Sequence, residues 1–148
     1  MAERVVVRQD IDFETEFLAK DPSEEDGELQ VVEDIRDIDP YSMLLASLGA
    51  CTAILVNTYA RHHGIPLEET EIRLEYERVF KEDCEHCEEL SAGQYDEQIK
   101  MEAGFRGNLT GEQREKLFKI SLQCPVHKMF ESGIRISAKP LKEALEKK

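Results

Sequence analysis

Positive charge is scarce in this chain. Nineteen lysines and arginines face 32 aspartates and glutamates, a net charge of −13. Such a surface repels phosphate backbones and anionic lipid, so nucleic-acid and membrane partners are disfavoured. Small neutral substrates are left open. The start Met1-Ala2-Glu3-Arg4 runs directly into Val5-Val6-Val7, too short for the apolar region of a signal peptide. No run of membrane-spanning length stands out in the sequence, and the expected compartment is the cytoplasm. Four cysteines in a reducing compartment read as catalytic, metal-binding or buried thiols rather than as a disulfide framework. No internal repeat and no linker divides residues 1–148, so a single domain is expected.

What is present is enough to fold. Hydrophobic residues make up 41% of the 148, well above a disordered composition. Val5 to Arg8 reads as a strand with a turn near Gln9-Asp10. Ile11, Phe13, Thr15 and Phe17 alternate with acidic residues, the period of a half-buried strand. Asp21 to Gly27 is turn-like, and Leu29 to Val32 resumes β character. Asp39 is a good N-cap and Pro40 a good first helical residue; Met43 to Ala60 is apolar on nearly every face, with Gly64 and Pro66 as the stop. A helix of that kind is normally buried, and Ala46, Gly49, Ala50 and Ala53 allow a neighbour to approach closely. Strands are expected at Ile72–Phe80 and Ile99–Phe105. Thr110 with Gln113 forms a capping box for a helix through Leu122. Pro125 opens a short helix that Gly133 ends, and Ile134 with Ile136 suggests a last strand. This order indicates an α+β fold, a sheet packed on a long helix. That helix has more apolar perimeter than one small sheet can cover, so a second subunit is expected.

Two cysteines lie in informative settings. Cys51 sits mid-way along the run Leu45-Ala46-Ser47-Leu48-Gly49-Ala50-Cys51-Thr52-Ala53. A free cysteine there fits an inert core position as readily as a reactive one. Cys124 opens Cys124-Pro125-Val126-His127-Lys128. A thiol just ahead of a helix N-terminus is favoured as thiolate by unpaired N–H groups and the macrodipole. His127 is either a neighbour of that thiol or a surface group.

Together, the stretch Asp39-Pro40 to Ala53 with its Cys51, and Gln123-Cys124-Pro125-Val126-His127 preceded by Leu109 to Arg114, resemble the two cysteine segments of the OsmC/Ohr family of thiol-dependent hydroperoxide reductases. The resemblance extends from residue 4 to about residue 138. It implies an OsmC-like fold, antiparallel sheets around a long central helix that bears the first cysteine, in an intertwined homodimer with active sites at the subunit interface. It also implies that Cys51 attacks the O–O bond of an organic hydroperoxide and that Cys124 condenses with the resulting sulfenic acid. An external dithiol then reduces the disulfide. No cofactor and no resident metal is called for. The family helps its attacking cysteine with an arginine from the N-terminal hairpin turn; Arg8 is the choice here and Arg36 the alternative. Two features stand against the pattern. Local electrostatics favour Cys124, not Cys51, as the more acidic thiol. The glutamate that family members carry one or two positions after the helix-opening proline is replaced by Tyr41 and Ser42.

Cys84-Glu85-His86-Cys87 lies in an acidic connector and has three readings. It is half of a zinc site lacking its other ligands, an auxiliary dithiol feeding electrons to the Cys51–Cys124 pair, or an exposed loop without a special role. The second reading of the whole chain, a non-enzymatic protein of the same fold, would bind a metal or thiol ligand through Cys84 and Cys87. His62 and His63 complement the C-terminal dipole of the long helix.

Overall fold

The computed structural model describes residues 2–80 and 95–142. Strand β1 (Ala2–Asp10) pairs antiparallel with β2 (Thr15–Ala19) on one side and with β4 (Leu67–Phe80) on the other. The short β3 (Gln30–Val31) extends the β2 edge, and β5 (Tyr95–Gly107) pairs with β4, giving one antiparallel sheet in the order β3-β2-β1-β4-β5. Helix α1 (Pro40–His62) lies on one face of this sheet, against β1 and β4. Helices α2 (Gly111–Ser121) and α3 (Pro125–Ser132) pack on α1 in turn.

The α1 start follows from local chemistry. The Asp39 carboxylate accepts the Ser42 N–H at 3.1 Å and the Ser42 hydroxyl at 2.7 Å, and Pro40 costs no hydrogen bond at the first position. Leu45, Leu48, Gly49, Thr52, Ala53 and Val56 face inward. Gly49 is required by the packing: a Cβ there would lie 2.6 Å from Val7 and 2.8 Å from Leu74, so α1 and the sheet meet without a side chain between them. The main core joins Val5, Val7, Leu45, Leu48, Ile72 and Leu74 with Cys124; a second cluster around Val56, Leu67, Leu117 and Ile120 fixes α2. The Thr110–Gln113 capping box forms as the sequence indicates, and Gly133, with φ of 76°, closes α3.

Three expectations are corrected. The alternation from Ile11 to Phe17 is not one strand. Asp10 accepts the N–H groups of Asp12 and Glu14 through its carboxylate, which turns the chain over Ile11–Glu14 and places Phe13 at φ 64°. This local side-chain-to-backbone bonding competes with the ladder and wins. No strand forms at Ile134 and Ile136; the segment is exposed, Ile136 at 86%, and pairs with neither edge strand of the described sheet, β3 or β5. Finally, α1, at 23 residues, is long and apolar enough by composition to cross a membrane, yet half of its most apolar stretch is buried inside the fold.

Candidate active site

The fold brings the two distant cysteine segments together. Cys124 is fully buried in the main core, at the N-cap of α3, and Cys51, partly exposed on α1, packs against it. The two thiols are in hydrogen-bond contact, and the backbone N–H of Val126 donates to the Cys51 sulfur. Pro125 has no N–H, so Val126 provides the first free donor of α3. That donor, with the positive end of the helix dipole behind it, is directed at Cys51. The sequence argument had assigned this help to Cys124. Burial pushes the Cys51 thiol up, contact with Cys124 adds to the rise, and the Val126 N–H opposes it. The net shift is upward, so Cys51 at rest is a thiol, not a preformed thiolate.

An apolar cavity of about 490 Å³ opens between α1, β4, β5 and α3, lined by Leu48 from the helix of Cys51 and by His127 from the helix that Cys124 caps, but by neither cysteine. Leu44, Leu45 and Leu48 of α1, Ile99 and Met101 of β5 and Phe130 of α3 form its apolar walls. At the α1 N-terminal end stand Tyr41 and Tyr76, their rings stacked at 5.0 Å. Arg78 of β4 donates to both phenols, at 2.9 Å to Tyr41 and 3.1 Å to Tyr76, and Tyr76 donates to Glu97 at 2.7 Å. Sequence reasoning missed Arg78. The signal was there: Ile72, Leu74, Tyr76 and Arg78 share one face of β4 by the period of two, and a charge that continues a buried register is worth noting. Nearer the cysteines, His127 lines the cavity and meets Glu131 at 2.6 Å.

Arg8 is placed elsewhere. It alternates with the inward-facing Val7 and Gln9, so within one subunit it stands on the sheet face opposite α1. There its guanidinium donates to Glu71 at 2.8 Å and to Glu16 at 3.5 Å. Arg36 is 86% exposed and held by Asp34. Neither is brought to the cysteines. His63 caps α1, donates from Nδ1 to the Tyr59 carbonyl at 3.0 Å and stacks on Tyr59. Cys84, His86 and Cys87 lie outside the described residues. Among the described residues no cluster of three His, Cys, Asp or Glu side chains suits a metal.

The model of the OsmC-like protein family matches residues 33–139, a span that includes both cysteines and the whole of α1. This chain belongs to the OsmC-like family. Among solved structures, an OsmC-like hydroperoxide resistance protein from Jannaschia sp. CCS1 superposes with a TM-score of 0.58 over 97% of this chain and 96% of that one, at 10% identity. That likeness establishes the α+β fold, with its antiparallel sheet and helices. No curated protein matches the sequence.

Proposed function

We propose that this OsmC-like protein reduces organic hydroperoxides with its two contacting thiols. The observation that carries the reading is the Cys51–Cys124 contact, with the first N–H of α3 on the Cys51 sulfur; an apolar cavity between the two helices that carry the cysteines offers room for the substrate. The Cys51 sulfur attacks the terminal peroxide oxygen, the O–O bond breaks, and an alcohol leaves while Cys51 becomes a sulfenic acid. Cys124 then attacks that sulfur, releasing water and forming the Cys51–Cys124 disulfide. Two electrons have passed from the thiols to the peroxide, and an external dithiol restores both by exchange. The leucine-lined wall suits alkyl hydroperoxides better than hydrogen peroxide, because an alkyl group gains about 0.8 kcal/mol per buried CH₂. The name of the Jannaschia protein agrees with this chemistry.

The reading includes a homodimer working in the cytoplasm. Support for the dimer comes from exposed apolar side chains on adjacent helices: Leu44 and Ile54 on α1, Phe118 on α2, and Met129 and Phe130 on α3. A second copy covering this face would supply the second sheet of the OsmC-like arrangement. Arg8 enters the reading only as an arginine supplied across that interface.

Turnover of tert-butyl hydroperoxide with a dithiol reductant tests the assignment. Cys51→Ser should abolish it, while Cys124→Ser should complete one reaction and stop with an oxidised Cys51 that mass spectrometry can trap. Retained activity in Cys51→Ser, with a sulfenate on Cys124, would reverse the roles.

A further inference from the structure

We propose that His127, oriented by Glu131, is the acid–base residue of the peroxide step, taking the Cys51 thiol proton and returning it to the departing alkoxide. The proposal rests on the hydroperoxide-reduction reading above. Cys51 at rest carries a proton that must leave before sulfur can attack, and the alkoxide formed when the O–O bond breaks must gain one. A single group between thiol and substrate can serve both needs without any co-reactant.

His127 is placed to be that group. It follows Val126, whose N–H rests on the Cys51 sulfur, and its ring lines the cavity in which the alkyl hydroperoxide would lie. Its two ring nitrogens have different surroundings. Nε2 meets the Glu131 carboxylate at 2.6 Å. Nδ1 is buried and has no hydrogen-bond partner among the described residues. A carboxylate on Nε2 fixes the tautomer that keeps its proton there and leaves Nδ1 as a bare acceptor. A buried acceptor without a partner is costly to the fold, and a proton in transit would satisfy it. A histidine at this helical position that served only the surface would have no reason to hide one nitrogen.

The step balances. The Cys51 S–H proton passes to Nδ1, a sulfur–oxygen bond forms as the O–O bond breaks, and the proton moves from Nδ1 to the alkoxide, giving alcohol, sulfenic acid and neutral His127. Other titratable groups line the same space, Tyr41 from α1, Tyr76 from β4, Glu97 from β5 and Glu131 from α3, with Arg78 bonded to the two phenols and the Cys51–Cys124 pair at the start of α3. They remain in a His127 variant, so the difference between two pH profiles isolates the histidine.

The test uses the full chain with His127→Gln, which keeps a donor for Glu131 but no base, and Glu131→Gln, which keeps the hydrogen bond but not the charge. Single-turnover oxidation of Cys51 by tert-butyl hydroperoxide should fall about 100-fold in His127→Gln and lose one ionisation from its pH profile. Glu131→Gln should lose about tenfold, less than the loss of the imidazole because the orienting hydrogen bond is kept. Alkylation of Cys51 by iodoacetamide, which needs no peroxide, should slow in both variants. Rates for both reactions within twofold of wild type in folded His127→Gln would overturn the proposal while leaving hydroperoxide reduction intact. Wild-type protein that leaves the hydroperoxide untouched would overturn that function and the alkoxide step with it; His127 as acceptor of the Cys51 proton then stands or falls on the alkylation rates.

Discussion

Replacing Gly49 by alanine probes how closely α1 must approach the sheet to seat Cys51 two residues further on. The added Cβ would lie 2.6 Å from Val7 Cγ2, 2.8 Å from Leu74 Cδ1 and 3.1 Å from Val7 Cβ. Ordinary carbon contacts fall at about 3.5–4.0 Å, so two of these are roughly an ångström too short. Neither neighbour moves easily. Val7 is β-branched and fully buried on β1, between two paired strands, and Leu74 is buried on β4. Overpacking of this kind costs about 1–3 kcal/mol. Against it stands the better helix propensity of alanine, about 1 kcal/mol. Two clashes against buried side chains put the cost in the upper part of that range, about 2–3 kcal/mol, so Gly49→Ala should destabilise by roughly 1–2 kcal/mol and lower the thermal midpoint by about 2–8 °C for a domain of this size. Urea unfolding should show a lower midpoint with an unchanged slope. The lifted helix should also loosen the Cys51–Cys124 contact and slow disulfide formation. A variant as stable as wild type, or more stable, would refute the close approach on which the site geometry depends.

Other predictions follow from the same structure. Sedimentation at micromolar concentration should give twice the 17.0 kDa chain mass, and Ile54→Lys should weaken that association; a stable folded monomer of the wild type would sink the dimer. Burial pushes the Asp39 carboxyl up, but hydrogen bonds from the Ser42 side chain, the Ser42 N–H and the Tyr41 N–H outweigh it and hold Asp39 below the ordinary range. Its stabilisation is present above the ordinary aspartate value and is lost as pH falls through the depressed one, so Asp39→Ala should cost about 0.5–2 kcal/mol at neutral pH and little in strong acid. Glu3 behaves oppositely: burial, then the charge of Asp39, raises its carboxyl against the pull of Lys20, whose ammonium stands 3.7 Å from Oε2, and among the described residues Oε2 has no hydrogen-bond partner. Its favourable contribution exists below the ordinary glutamate value and is lost as pH rises through the raised one, so Glu3→Gln should stabilise the protein at neutral pH, by denaturant titration, and bring no gain at low pH.

Much of this was legible in the residues because the signals were local. Asp39-Pro40 and Gly64 fixed both ends of α1, Thr110 with Gln113 fixed the start of α2, and Pro125 and Gly133 bracketed α3. The hairpin between β1 and β2 was misread because apolar alternation at Ile11 and Phe13 imitates a strand, while the Asp10 side chain quietly supplies the turn. Ile134 and Ile136 look like a strand, but a strand needs an edge, and the edge is a property of the assembled sheet rather than of the segment. For the site, the two cysteines stood out in the sequence and the family resemblance implied their pairing, but spacing and periodicity alone did not, since nothing in a separation of over seventy residues reports a contact. The direction of the α3 N-terminus was likewise settled only by packing, which sends the Val126 N–H to Cys51 although Cys124 is the residue at the cap.

The most direct test of the account is to add one equivalent of tert-butyl hydroperoxide to the fully reduced protein and map its thiols by peptide mass spectrometry. The account predicts one equivalent of alcohol and a single new crosslink joining the Cys51 peptide to the Cys124 peptide. Cys84 and Cys87 should remain alkylatable in that first turnover. A protein that consumes no hydroperoxide, or that forms its disulfide between Cys84 and Cys87 while Cys51 and Cys124 stay reduced, would contradict it.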